Sequence, residues 1–200
     1  MTDTKADVQS GRIGDLTPRF HIRFSAEETE RLKALAFKLG AVAFKGALIP
    51  GWWERTCLAR WGIESLMGRE ITENPPRPVT RSMASIRVGG ERLELRTRRH
   101  RELDEYHHRG EKLFVGYPIR RLRRLRPDVF VIAASVKTND DGSSSTFVWG
   151  ALSHQAVREI CDKQPILASS AKGWGRLKEG PPLGDFDGEL LGELLGDEAQ

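Results

Sequence analysis

The chain has 200 residues and a net charge of +4, and its 38% apolar and 30% charged residues are typical of one globular domain, with or without tails. No apolar run approaches the roughly 20 residues that span a bilayer, the N-terminus lacks the apolar segment of a secretory signal, and Cys57 and Cys161 are too far apart to form a metal box. These features exclude a membrane-spanning protein and a zinc finger, and we expect a cytoplasmic protein with reduced thiols and no membrane partner.

The N-terminal part combines an arm with a helix. Residues 1–24 are polar and aperiodic, and we expect them to form an arm. Ser25 and Glu28 have the spacing of a capping box, in which a serine hydroxyl and a glutamate satisfy the first amides of a helix. Leucines at helical spacing follow, and Gly40 is expected to end this helix.

A second helix and a hairpin come next. Pro50 and Gly51 introduce a helix predicted over 52–69. The proline-rich segment 73–80 can be neither helix nor central strand, so it is predicted to be a rigid loop. Beyond it, two strands are predicted near 82–88 and 91–98.

The two-residue loop Gly89-Gly90 determines the register of this hairpin. A type I′ or II′ turn at that loop places Ser85 opposite Glu94, with Arg96 further along the same face. One interpretation is an ordinary amphipathic hairpin, with one face in the core and the other in water. The pattern alone does not decide whether the polar face has a function.

The C-terminal half contains the most apolar segment. Residues 100–118 are charged and rich in histidine and are predicted to be a long loop, in which His100, His107 and His108 are exposed, with metal binding as the alternative. The remaining predictions are a short basic helix or turn ended by Pro127, a strand buried on both faces at 128–135, a strand at 146–153, a short helix opened by Ser153, and a helical turn or disorder at 187–196. A mixed sheet flanked by helices, with its core over 52–160, is the natural arrangement of these elements.

The charge is unevenly distributed along the chain. Residues 77–126 contain fifteen Lys and Arg against six Asp and Glu, a net charge of +9, whereas residues 179–200 contain seven acidic residues and no basic one. A basic segment is usually a solvated surface, but this density favours a polyanionic partner such as DNA or RNA. The acidic end is interpreted as a solubilising tail, with a segment that covers the basic surface as the alternative.

Glu64 is an unusual residue of the predicted second helix. It falls in the middle of the apolar arc of that helix, where a carboxylate is costly unless it is paired or bound to a cation. One interpretation pairs it with Arg60, one turn earlier. The other directs it toward a polar site under the sheet.

The chain resembles the PD-(D/E)XK nuclease superfamily in the order of its elements. A helix that carries a glutamate is followed by a loop and by a hairpin with an acidic-x-basic pattern. The segments ERLELRTRR, RRLRPDVFVIA, FVWGALS and GWGRL are similar to small phage and bacterial members of it, over about residues 52–178. The resemblance implies an α/β (α+β) domain at 25–178 with a restriction-endonuclease-like αβββαβ core, between the arm and the tail at 179–200.

The resemblance also implies a site. In the superfamily an Asp and the motif Glu hold Mg²⁺ or Mn²⁺, a Lys orients or activates water, and a helix Glu completes a centre for phosphodiester hydrolysis. Glu64 matches the helix Glu and Glu94 the motif Glu, whereas Arg96 stands at the Lys position and Ser85 at the Asp position. Both departures matter, because serine is a poor ligand for Mg²⁺ and arginine cannot act as a base near neutral pH.

Three functions therefore stay open, and whether the protein is an enzyme stays open with them. The first, which we favour, is a catalytically degenerate protein that needs no cofactor and binds nucleic acid, DNA in preference to RNA, without cutting it. The arginines expected to contact phosphates are Arg98, Arg99, Arg101, Arg120, Arg121, Arg123 and Arg124.

The second function is an active DNA endonuclease that uses Mg²⁺ or Mn²⁺. Glu64 and Glu94 would then bind the metal, with a further carboxylate from Glu70, Glu73 or Glu91. The third is a structural or assembly protein, virion-associated if it belongs to a phage, with a homo-oligomer or an assembly partner. No P-loop, GxGxxG or nucleophile-elbow motif occurs, so nucleotide hydrolysis and a serine triad have no support.

Overall fold

A five-stranded mixed sheet flanked by helices organises the computed structural model, which describes residues 11–108, 117–124, 126–167 and 177–196. The strands are β1 (Phe20–Phe24), β2 (Ser85–Val88), β3 (Glu91–Arg99), β4 (Tyr117–Pro118), β5 (Val129–Thr138), β6 (Ser144–Ser153), β7 (Ile166–Leu167) and β8 (Leu177–Lys178). The helices are α1 (Ala26–Ala43), α2 (Trp52–Leu66), α3 (Val79–Met83), α4 (His100–His108), α5 (Ile119–Leu122), α6 (His154–Asp162) and α7 (Gly188–Leu195), with a 3-10 turn at Leu183–Asp185.

The five strands lie in the order β1-β6-β5-β3-β2. β3 and β5 are parallel, whereas the β2–β3, β5–β6 and β1–β6 pairs are antiparallel. A parallel pair requires a crossover connection, and α4 and α5 lie in the chain between β3 and β5. A second, antiparallel sheet has the order β4-β8-β7.

β5 is buried on both faces, as its continuous apolar run predicts. On one face Ile132 and Ala134 contribute to a core that includes the apolar residues of α2. On the other face Val131 and Ala133 contribute to a second core, which includes Val157 of α6. The sheet therefore separates two hydrophobic cores, and a side chain on an inner strand belongs to one or the other.

The predicted helix starts are confirmed. Ser25 Oγ accepts a hydrogen bond from the Glu28 amide at 3.2 Å, and Glu28 Oε2 accepts one from the Ser25 amide at 3.0 Å, which completes the capping box of α1. Ser153 Oγ likewise accepts from the Ala156 amide at 3.1 Å at the start of α6. These signals lie within one helical turn, so the sequence displays them directly.

Gly40 has a different role from the predicted one, because α1 continues through it to Ala43. A Cβ atom added at Gly40 would lie 2.8 Å from Ile49 Cδ1 and 2.9 Å from Trp53 Nε1. Glycine is needed there for the close approach of α2, and it does not terminate the helix.

The N-terminal segment is not an arm over its whole length. Residues 20–24 form β1, an edge strand in which Phe20 pairs with Val148 of β6. Ile13 and Ile22 are fully buried. The alternating apolar residues of FHIRF are a sequence signal for this strand. The signal is weak on its own, because the strand depends on pairing with β6, more than 100 residues later in the chain.

Residues 100–108 form α4, so the predicted loop is wrong in this part. Arg101 Nε lies 2.8 Å from Glu105 Oε1, an i,i+4 pair that stabilises an exposed helix face. Leu103 is buried in the second core and attaches α4 to the sheet. The sequence gives little sign of this helix, because Leu103 is the one apolar residue of 100–105, the part whose side chains are described, that packs in the core.

The acidic end also packs on the sheet. Asp187 caps α7 by accepting hydrogen bonds from the amides of Glu189 and Leu190 at 2.8 and 3.1 Å. Leu191 and Leu195 are buried in the core that contains α2. Of the two possibilities for residues 187–196, the helical one is correct, and this part of the predicted tail belongs to the folded domain. None of the described helices combines the length and apolar character required to cross a lipid bilayer.

Removal of the α7 anchor is expected to destabilise the whole domain. Leu191→Ala should lower the free energy of unfolding by about 2–5 kcal/mol, because it leaves a cavity in the core. Glu193→Ala, on the exposed side of the same helix, should change it by less than about 0.5 kcal/mol. Urea unfolding measures both values, and equal midpoints for the two variants would contradict the packing of α7.

Candidate functional site

The hairpin has the register that Gly89-Gly90 predicts. Ser85 pairs with Glu94, Ile86 with Leu93 and Val88 with Glu91. Gly89 has φ of 59°, the positive value that the first loop position of a type II′ turn requires. The predicted cross-strand pair of Ser85 and Glu94 is therefore confirmed.

Glu94 is surrounded by guanidinium groups. Its side chain, in a residue that is 8% exposed, accepts a hydrogen bond from Arg92 Nη2 at 2.7 Å. Its second oxygen lies 3.5 Å from Arg121 Nη1 and 3.9 Å from Arg96 Nη2. We call these four residues the Glu94 cluster; it has one negative and three positive charges, a net charge of +2.

Local structure explains how the cluster forms. Arg92, Glu94 and Arg96 share one face of β3 because side chains alternate along a strand. Arg121 lies on α5 in the crossover to β5, the parallel neighbour of β3. A third element holds α5 in place: His154, the first residue of α6, has Nε2 3.2 Å from the Arg121 carbonyl oxygen.

His154 has a defined protonation state. Its Nδ1 accepts from the Arg126 amide at 3.3 Å, so Nε2 carries the proton that is donated to Arg121. Burial lowers the pKa of His154, in the direction that favours the neutral ring. Sequence reasoning missed this residue, and nothing near it in the sequence indicates that it contacts α5.

Glu64 lies elsewhere, in the α2 layer. It is 3% exposed, and Arg60 Nε, the Thr72 amide and Thr72 Oγ1 donate to its carboxylate at 2.8, 2.9 and 2.6 Å. Arg60 Nη1 in turn donates to the carbonyl oxygens of Ser82, at 2.7 Å, and Ser85. Of the two interpretations of Glu64, the ion pair with Arg60 is present, and it connects α2 to the entry of the hairpin.

The structure does not bring Glu64 and Glu94 together. Leu93 and Leu95 of β3 pack in the core that contains α2, so Glu94, between them on the strand, points to the opposite face. Its parallel neighbour in register is Val131, which belongs to the second core. Glu64 and Glu94 therefore lie on opposite faces of the sheet.

The remaining predicted residues take different positions. Ser85 Oγ donates to the Arg81 carbonyl oxygen at 3.0 Å, at the end of α3. Arg99 and Arg101 are exposed where β3 meets α4, and Arg123 and Arg124 are exposed after α5. The side chain of Arg120 lies outside the described residues, and Arg98 is half-buried on the face of Glu94.

His100 is not the exposed loop residue that was expected. Its Nδ1 lies 3.1 Å from Ser135 Oγ, and its ring centroid is 4.6 Å from that of Phe147. Burial, together with the positive charge of the nearby Lys137, lowers the pKa of His100 to about 4. The side chains of His107 and His108 lie outside the described part of the chain.

The described residues do not fit a magnesium centre at Glu94. A divalent cation there would compete with Arg92 for the carboxylate and would lie beside two more positive charges. Glu64 cannot contribute from the other face, and Ser85 Oγ is directed to a carbonyl. Among the described residues, no group of three or more His, Cys, Asp and Glu converges as a metal-binding set.

No family model, curated protein or solved structure matches this chain. The resemblance to the nuclease superfamily therefore stays a proposal.

The Arg60–Glu64 pair is expected to stabilise the fold. Glu64→Ala should lower the free energy of unfolding by about 3–5 kcal/mol, because it leaves the Arg60 guanidinium, whose side chain is 11% exposed, without its counter-charge. Glu54→Ala, an exposed carboxylate on the same helix, should cost no more than about 1 kcal/mol. Chemical denaturation of both variants tests this, and a Glu64→Ala protein as stable as the Glu54→Ala control would show that the pair is dispensable.

His100 predicts a pH dependence of stability. Between its ordinary pKa of 6.5 and the folded value of about 4, the unfolded chain takes up a proton that the folded protein does not. The free energy of unfolding should therefore decrease as the pH falls through this window.

Urea unfolding at pH 7 and pH 5 measures this slope. His100→Gln should make the slope smaller, while His154 retains part of it because its pKa is lowered too. An unchanged slope in His100→Gln would show that His100 does not titrate as proposed.

Proposed function

We propose that this protein binds nucleic acid, DNA in preference to RNA, through its arginines and does not cleave it. The observation that carries the proposal is the Glu94 cluster. A carboxylate expected to hold a metal is paired with Arg92, and Arg96 and Arg121 add positive charge beside it. This arrangement supports attraction of a phosphate and gives no basis for activating water.

The surface around the cluster supports the same function. Arg123 and Arg124 follow α5, and Arg126 precedes β5, all three exposed. Guanidinium groups bind phosphate oxygens in a bidentate manner and keep their charge at any physiological pH. A polyanion with regularly spaced phosphates can contact several of them at once, which a single small anion cannot do.

We infer further that the unit from α2 to α6 is a restriction-endonuclease-like core that has lost its metal centre. Support comes from the order of a helix with Glu64, a hairpin with Glu94-x-Arg96, a crossover, and a strand parallel to β3. The position of Glu64 on the other face from Glu94 departs from the superfamily site, in which the helix carboxylate joins the motif carboxylate. In this proposal the Lys-to-Arg and Asp-to-Ser departures adapt the site to binding.

DNA binding should depend strongly on salt. The affinity for a fluorescein-labelled duplex, measured by anisotropy, should fall with a slope of about 0.9 in log K per log salt for each phosphate contact. The double variant Arg123→Ala/Arg124→Ala should reduce that slope by about 2. Arg31→Ala, which removes an exposed arginine of α1, should leave the slope unchanged.

Two results would contradict the proposal. One is the absence of DNA and RNA binding at low salt, which would favour a structural or assembly role. The other is plasmid cleavage by the wild type with Mg²⁺ or Mn²⁺ that Glu94→Ala abolishes, which would favour an active nuclease.

A further inference from the structure

A second feature lies away from the Glu94 cluster: a cavity of about 940 Å³. It is open to solvent and is lined by the C-terminal half of α1, the loop at 46–51, the start of α2 and the ends of β3 and β5. Its volume is in the range of sites that hold an organic ligand or several side chains of a partner. Of its lining residues, the proposed function uses only Arg99 and Arg101.

The walls of this cavity are apolar and unusually exposed. Phe37 is 69% exposed and Leu48 is 93% exposed, and both line the cavity together with Ala41 and Ile49. Trp52 adds a further exposed apolar surface nearby in the chain. Among the described residues, most of the large apolar side chains that are exposed come from this one region, 37–52. Single exposed apolar residues are common on protein surfaces, whereas several of them in one patch are typical of an interaction surface.

The rim of the cavity is basic. The lining includes five cationic side chains against one carboxylate, Glu54, a net charge of +4; the cations are Lys33, Arg55, Arg99, Arg101 and Lys137. Glu30, Glu102 and Glu105 pair with three of them, and each pair has at least one exposed side chain, which makes such ion pairs weak. Arg55 Nε is buried and has no hydrogen-bond partner among the described residues.

We propose that this cavity docks a protein partner through an acidic segment that also carries apolar side chains. Apolar side chains of the partner would pack against Phe37 and Leu48, and its carboxylates would contact Arg55 and Lys137. The charge selects this occupant over a second copy of the chain, because a two-fold contact would place one basic rim against another. The concave shape favours a protruding segment over a flat bilayer. Phe37 is the exposed large aromatic side chain among the described lining residues, and one ring offers less stacking surface than a series of bases requires.

In the experiment, peptides are selected from a random displayed library by binding to the immobilised full-length chain. The selected peptides are then synthesised with a fluorescein label, and their affinity for the protein is measured by anisotropy. The expected result is enrichment of peptides that combine Asp or Glu with Leu, Ile or Phe. Leu48→Ser and Lys137→Glu should each weaken their binding by at least about tenfold. Both side chains are exposed, so the variants should fold, which circular dichroism checks.

Matched controls separate this surface from others. Ile166→Ser removes an exposed apolar residue elsewhere, and Arg158→Glu reverses a charge on α6; neither should change peptide binding. Selection of basic peptides or of none, or equal binding to wild type and Leu48→Ser, would overturn the proposal.

Two further measurements test the other occupants. Loss of binding to vesicles of phosphatidylserine and phosphatidylcholine in Leu48→Ser, with peptide binding intact, would reassign the cavity to a membrane surface. Loss of duplex DNA binding in that variant, again with peptide binding intact, would reassign it to nucleic acid.

Discussion

The burial of β5 on both faces is the constraint on which the rest of the structure depends. Because both faces must be covered, α2 packs on one side and α6 on the other. Because β3 pairs with β5 in parallel, the chain must cross over between them, and the crossover carries α5. Arg121 reaches Glu94 for this reason, so the charge of the candidate site follows from the topology of the sheet.

Alternation along β3 decides what the two glutamates can do. A residue next to Leu93 and Leu95 cannot share their face, and moving Glu94 to the α2 side would require a one-residue slip that exposes both leucines. Glu64 is therefore restricted to a structural ion pair with Arg60. Glu94 is left on the other face, where three guanidinium groups lie within 3.9 Å of its carboxylate.

The parts of the fold that the sequence predicts correctly have signals within a few residues. The capping box at Ser25, the turn at Gly89-Gly90 and the apolar run of β5 are of this kind. The structure of β1 and α7 depends on contacts with β6, and the approach of Arg121 to Glu94 depends on the crossover, so no local pattern displays them. The separation of Glu64 from Glu94 was available from the sequence: the helix had to cover the leucine face of the hairpin, which is the face opposite Glu94.

The two proposed surfaces share residues. Arg99 and Arg101 belong to the arginines expected to contact phosphates, and they also line the cavity rim. An acidic segment seated in the cavity would contact or screen these two guanidiniums, whereas Arg121, Arg123 and Arg124 lie on or directly after α5 and do not line the cavity. Two anionic ligands that need the same charges oppose each other's binding, and thermodynamic linkage makes the effect reciprocal. Occupation of the cavity should therefore weaken DNA binding only by the contribution of Arg99 and Arg101, and the arginines around Glu94 should retain the remainder.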